Sequence, residues 1–287
     1  MKLRKMLAAI VLTVVLVYLA LVVLIYFGQS RLIFFPNRTL ITTPDQAGLE
    51  YLDVTIPVTL SENLNAWYFL ASQPGDSTPT VLFCHENAGN ISYSLETVRL
   101  FLDLGVNVLV FDYRGYGRSD GQPSEQNVYE DAHAAWRWLV AVRQTAPEKI
   151  FIFGRSLGGA VAIDLATRVN CAGVILESTF TSAIDMGRRL YPFVPIRLVS
   201  RFSFDSLSKI SRVSCPVMVA HSPADEMIPY AMGKALCEAA RTEKQFIDLT
   251  GRHNDLLSLD SDLYRNALRG FLWRRNPSSK TESSSGV

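Results

Sequence analysis

The sequence predicts an α/β domain, with a mostly parallel eight-stranded sheet covered by helices on both faces, preceded by one transmembrane helix. Three observations carry that expectation. Short apolar runs alternate with helical patterns along the middle of the chain, as buried parallel strands and their crossover helices do. The run from Met6 to Phe27 holds no charged residue. A length of 287 residues suits one large core better than two catalytic domains.

Residues 1–5 bring Lys2, Arg4 and Lys5 ahead of the apolar run, which at 6–27 matches the roughly 20 residues a helix needs to cross a bilayer. A cleaved signal peptide is the rival reading, since Gly28-Gln29-Ser30 offers small residues around a cut. The apolar run is longer than the roughly 7 to 15 residues of a signal peptide's apolar core, which favours an uncleaved anchor. Arg31 and Arg38 follow the run, so the positive flank narrowly favours the N-terminus. That bias puts the N-terminus in the cytoplasm and the larger domain outside an inner or plasma membrane.

Residues 28–48 read as a juxtamembrane connector and 49–275 as the folded domain. Tyr51–Thr59 alternates like a half-buried strand, and further strands are expected at Leu64–Ala71, Thr80–Cys84, Val106–Tyr113, Lys149–Gly154, Ala172–Glu177, Pro216–Ser222 and Lys244–Gly251. Helices are expected near Ser94–Leu104, Ser124–Thr145, Leu157–Val169, Tyr230–Arg241 and Leu263–Trp273. The stretch 179–213 is long for a connection and rich in Met186, Leu190, Tyr191, Phe193 and Leu198. It reads equally as a small apolar cap over the site or as an ordinary covering helix plus loop. Residues 276–287 are too polar to order and read as a disordered tail.

Lys and Arg number 28 against 27 Asp and Glu, so no field builds up that would attract nucleic acid. Cys84, Cys171, Cys215 and Cys237 stand singly, which fits neither a metal site nor a disulfide framework, and each reads as a small core residue. No His-Glu-X-X-His zinc site occurs, and the Gly115/Gly117 loop lacks the lysine of a phosphate loop and the third glycine of a dinucleotide fingerprint, so no cofactor is implied.

The strongest motif is Gly154-Arg155-Ser156-Leu157-Gly158 between an expected strand and an expected helix. Small residues on either side let strand and helix approach, and the serine is left exposed on a strained turn at the helix N-terminus. There the Leu157 N–H can meet a developing oxyanion. A serine hydroxyl needs a base and an orienting carboxylate, expected downstream in the order acid then histidine. His253, in the turn after the last strand, is the candidate base. Asp225, following the penultimate strand, is the candidate acid, with Glu177 as its competitor and the structural reading preferred for that residue. His133 falls within a helix, and His221 ends a strand and reads as structural. In the loop after the third strand, Cys84-His85-Glu86-Asn87-Ala88-Gly89-Asn90 stands where a second oxyanion donor belongs; His85 there reads as a residue that staples the loop.

These segments, together with Arg31-Leu32-Ile33-Phe34-Phe35-Pro36-Asn37-Arg38 and Phe111-Asp112-Tyr113-Arg114-Gly115-Tyr116-Gly117-Arg118-Ser119-Asp120-Gly121, resemble the membrane-anchored branch of the α/β-hydrolases. That prolyl-oligopeptidase-like branch includes bacterial inner-membrane members and eukaryotic protein depalmitoylases, and the resemblance runs from about Ile33 to Phe271. It implies the α/β-hydrolase fold, a Ser156/Asp225/His253 triad, and an oxyanion hole from the backbone N–H groups of Asn87 and Leu157. Glu86 departs from the glycine usual in that pattern. If the backbone there needs φ > 0, glutamate costs on the order of 1 kcal/mol, and a carboxylate aimed inward would oppose the oxyanion. Asp112 and Arg114 read as organisers of their loop.

The expected function is acyl transfer to water from an ester or thioester, on lipidic or acylated substrates that suit a membrane tether. A peptidase and a non-catalytic membrane scaffold are the alternatives.

Overall fold

The computed structural model describes residues 2–255 and 261–274. The expected tail at 276–287 lies outside them, as does the end of the domain at 275. In chain order the elements are α1 (Lys2–Ile33), β1 (Phe35–Pro36), β2 (Leu52–Pro57), β3 (Asn63–Phe69), β4 (Thr80–Cys84), β5 (Ala88–Gly89), α2 (Leu95–Asp103) and β6 (Asn107–Phe111). They continue with α3 (Glu125–Ala141), β7 (Ile150–Arg155), α4 (Leu157–Ala166), β8 (Gly173–Glu177), α5 (Ala183–Leu190), α6 (Ile196–Val199) and α7 (Ser206–Ile210). The last four are β9 (Val217–His221), α8 (Tyr230–Ala239), β10 (Lys244–Asp248) and α9 (Asp262–Leu272).

Among the described residues, eight strands form one sheet in the order β10-β9-β8-β7-β4-β6-β3-β2, with β3 antiparallel to both its neighbours and the rest parallel. The central strands are buried on both faces, so they read as continuous apolar runs, and the period of two still sorts their side chains. In β4, Leu82 and Cys84 face the core shared with Leu139, Val161 and Leu236 of α3, α4 and α8. Val81 and Phe83 face the other core, with Val98 and Phe101 of α2 and Leu268 and Phe271 of α9. Helix α4 is buried on every residue, so its sequence is apolar except at Asp164, whose carboxylate is paired with Arg168 and Lys209 (2.7 Å each).

Three features differ from the sequence expectation. First, α1 does not stop at Phe27 but continues through Ile33, because the residues assigned to a connector are held by tertiary contacts: the buried Gln29 amide donates to Val199 O (2.7 Å), and its oxygen accepts from Arg201 N–H (2.8 Å). Second, β1 pairs in parallel with β5, Phe35 opposite Ala88, a two-residue ladder too short to have a period. Third, the cysteines are not all isolated. Cys171 Sγ and Cys215 Sγ lie 2.9 Å apart as free thiols, just ahead of the adjacent strands β8 and β9.

The loop after β6 is organised from within. Arg114, with a side chain only 5% exposed, reaches Asp131 (2.6 Å), Glu130 (2.9 Å), Glu62 (3.2 Å) and Asn127 O (3.2 Å). Burial pushes the Asp131 carboxyl up to about 7 even against those hydrogen bonds. Removing the arginine leaves a buried acid without its partner. The Arg114→Ala variant is therefore expected to lose about 3 kcal/mol of stability in detergent, read as a fall in melting temperature. Adding Asp131→Asn to it should recover part of that loss; no recovery would contradict the account of this loop.

Candidate active site

The turn from β7 to α4 is tighter than any residue but glycine permits at two points. A Cβ on Gly154 would sit 2.2 Å from Gly158 O, and one on Gly158 only 1.9 Å from Cys84 O. Between them Ser156 adopts φ 52°, ψ −121°, a backbone conformation that L-residues rarely hold. The conformation is held from both sides: Ser156 N–H donates to Glu177 O (2.9 Å), and Thr179 Oγ1 donates to Ser156 O (2.7 Å). Leu157, as the first residue of α4, keeps a backbone N–H that the helix itself cannot satisfy.

The β4–β5 loop faces this turn. The Asn87 carbonyl is turned away by two donors, Phe35 N–H (2.9 Å) and Tyr116 O–H (2.7 Å), while its side-chain amide donates to Ile33 O (2.7 Å). With the carbonyl so fixed, Asn87 lines the same cavity as Ser156 and Leu157. Glu86 does not have a positive φ, so the strain that a glutamate would suffer there does not arise. His85 staples the loop: Nδ1 contacts Glu86 O at 2.7 Å, the ring packs on Tyr113 and Tyr116, and burial lowers its pKa to about 4, so it is neutral. Asp112 accepts from Ile91 N–H (2.8 Å), with its carboxyl raised by burial to about 7.

Asp225 and His253 meet directly, with Oδ2 of the acid 2.8 Å from Nδ1 of the base. His221 also approaches Oδ2 (3.2 Å), and the N–H groups of Met227 (3.0 Å) and Ile228 (2.8 Å) donate to Oδ1. Burial on its own would raise the Asp225 carboxyl, but the hydrogen bonds from His221, His253 and Ile228 outweigh it and hold it well below the usual carboxylate range. The His253 backbone is fixed as well: its N–H donates to Glu226 Oε2 (3.2 Å), and its carbonyl accepts from Arg155 Nη2 (3.0 Å). His253 is thus tied to the serine turn through Arg155, the residue next to Ser156. The competing acid, Glu177, is occupied elsewhere, by Tyr264 O–H (2.5 Å) and Arg155 Nε (3.3 Å). His133 sits on α3, stacked on Trp136.

Ser156 opens onto a cavity of about 800 Å³ with a largely apolar wall. The segment 179–213 contributes Phe180, Met186, Leu190, Val199 and Phe204, and α1 contributes Ile25, Gln29 and Leu32. No sequence pattern marked three residues that shape this site. Thr179 acts on the serine turn through a single hydrogen bond, Arg155 acts through contacts with His253 and Glu177 far along the chain, and Gln29 lay inside the stretch assigned to a connector. Only Arg155 left a trace, as a charged residue ending a wholly apolar strand.

Residues 75–205 match the family described as serine aminopeptidase, S33. A Mycobacterium tuberculosis protein, Rv2307c, is 38% identical over 77% of this chain and 78% of its own length. Alpha/beta hydrolase domain-containing protein WAV2 of Arabidopsis thaliana is 34% identical, with 84% of each chain covered. Among solved structures, the Pyrococcus furiosus esterase Pf2001 superposes with a TM-score of 0.67 at 20% identity, covering 83% of this chain and 98% of that one.

The depressed Asp225 carboxyl has a consequence for stability. A folded-state pKa below the unfolded one stabilises the fold at pH values above the unfolded value, and that contribution is lost as pH falls through the folded one. Asp225→Asn should therefore cost about 2 kcal/mol near neutral pH, as a hydrogen-bonded charge does. Its melting temperature should approach that of the parent protein only below the ordinary carboxylate pKa of 3.8. A gap that stays constant down to pH 2 would show that the carboxylate charge is not what holds this turn.

Proposed function

Because the chain belongs to the α/β-hydrolase family, we propose that it is a membrane-anchored serine hydrolase that cleaves an ester or thioester bond through Ser156, His253 and Asp225. The observation that carries the reading is a strained serine opening onto an apolar cavity, with a histidine that is paired to a carboxylate and whose carbonyl is held by Arg155, the residue before that serine.

In this reading Asp225 fixes the His253 tautomer, with Nδ1–H donated to the carboxylate and Nε2 free to take the Ser156 proton. The serine oxygen attacks the acyl carbon. The N–H groups of Leu157 and Asn87 receive the oxyanion, the alcohol or thiol leaves with the proton held by His253, and water then releases the acid. Esters and thioesters are favoured over amides because the cavity wall offers apolar contact for an acyl chain, through Phe180, Met186 and Phe204.

Anchoring is supported by α1, whose apolar window has a mean hydropathy of 3.1 and is not covered by the rest of the protein. Retention of the helix is supported by Gln29, which would leave with a cleaved signal segment and strand the Val199 carbonyl and Arg201 N–H that it pairs. The charge flanks favour a cytoplasmic N-terminus, as before.

A peptidase reading draws on the description of the matched family and is tested in the same experiment. Purified full-length protein is offered p-nitrophenyl esters, acyl thioesters and aminoacyl amides of graded chain length. Hydrolysis of the first two is expected, with medium-chain esters preferred. Ser156→Ala should lower kcat/KM by roughly 10³-fold or more, and Asp225→Asn by up to about 10⁴-fold. Turnover confined to aminoacyl amides would replace the acyl reading with the peptidase one. Ester turnover that survives Ser156→Ala would remove the serine mechanism.

A further inference from the structure

We propose that the cap formed by α5 and α6 is itself immersed in the membrane, and that the cavity opens sideways into the bilayer between this cap and α1. Substrates would then reach Ser156 with their acyl chains still held in lipid. The proposal rests on the acyl-hydrolase reading and adds where the substrate comes from.

Two contacts set the level of the cap against α1. Tyr18 Oη donates to Phe193 O (2.8 Å), and Gln29 holds Val199 and Arg201 as described. Tyr18 is nine residues before Phe27, about 14 Å along a helix rising 1.5 Å per residue. A bilayer spanned by residues 6–27 therefore surrounds the part of the cap that Tyr18 touches. The side chains there suit lipid and not water: Phe193, whose carbonyl Tyr18 holds, is 87% exposed in the short turn between α5 and α6, and Leu198 of α6, five residues on, is 86% exposed. Large apolar side chains gathered in such a patch mark a docking surface rather than ordinary scatter.

The cavity rim has the same character. Leu32, Leu190 and Met227 all line the cavity, yet remain 43%, 59% and 50% exposed. An opening with such edges meets water poorly and meets acyl chains well. The occupant is identified as a lipid surface by continuity with α1 and by charge. Arg188 and Arg189 close the last turn of α5 and Arg197 lies in α6, where snorkelling guanidinium groups would reach phosphates at the headgroup level.

The test uses the full chain in phosphatidylcholine/phosphatidylglycerol vesicles. Phe193→Trp adds one tryptophan to the four already present. Phospholipids brominated on their acyl chains should quench an emission component absent from the parent protein. Separately, Phe193→Asp/Leu198→Asp is compared with the parent on a water-soluble short-chain ester and on a long-chain ester dissolved in the vesicles. The soluble ester should be hydrolysed within about twofold of the parent rate, and the embedded ester at least about tenfold more slowly. No added quenching overturns the proposal, as does a rate that is unchanged on both substrates, or that falls equally on both in a variant whose melting temperature matches the parent's. If the double variant fails to fold, the soluble ester reports it and the quenching decides. Absence of ester turnover by the parent protein would sink the hydrolase reading instead, and quenching would still settle the membrane contact.

Discussion

Among the described glycines, the one with least room for a side chain is Gly158, where α4 meets the sheet. With 1.9 Å between a notional Gly158 Cβ and the Cys84 carbonyl, strand and helix approach to backbone contact. The site follows from that approach. The chain can turn from β7 into α4 only by placing Ser156 in a strained conformation, and the glutamate carbonyl ending β8 and the Thr179 hydroxyl hold it there. The same approach brings the first N–H of α4 beside the β4–β5 loop, so that two chain segments far apart in sequence share one cavity wall.

Asp225 and His253 depend on that frame but are built separately. Asp225 lies in the turn after β9 and His253 in the turn after β10, and parallel pairing of these strands brings the two turns to one edge of the sheet. Four donors converge on the Asp225 carboxylate, so its charge survives burial and the imidazole is oriented before any substrate arrives. Arg155 connects the two halves. Burial opposes its charge, but Glu177 and Glu86 outweigh this and raise its pKa, so a permanent cation ties the serine turn to the His253 carbonyl. Glu86, which looked in sequence like a threat to the oxyanion, helps to support that cation.

Much of this was legible in the sequence because it is written locally. Buried parallel strands appear as apolar runs, and Thr80–Cys84 begins and ends where its run does. The serine motif, with the later acid and histidine, is a matter of order along the chain. What was missed comes from contacts with no local trace. Gln29 and Val199 are 170 residues apart, and nothing near Gln29 announces a buried amide. Thr179 resembles any threonine after a strand. The pairing of β1 with β5 covers two residues and cannot generate a pattern. The cost attached to Glu86 assumed a left-handed backbone, and the loop instead turns the Asn87 carbonyl aside with Phe35 and Tyr116, leaving φ at Glu86 ordinary.

Helix α1 and the domain form a continuous structure, since α1 supplies part of the wall of the cavity onto which the serine opens. All of this chemistry assumes that Ser156 is a nucleophile activated by its surroundings. The most direct measurement is to react the folded, detergent-solubilised protein with a fluorophosphonate and map the adduct by mass spectrometry. The account predicts a single stoichiometric adduct in the tryptic peptide Ser156–Arg168, and none after Ser156→Ala. An unlabelled folded protein, or an adduct on another residue, would contradict it.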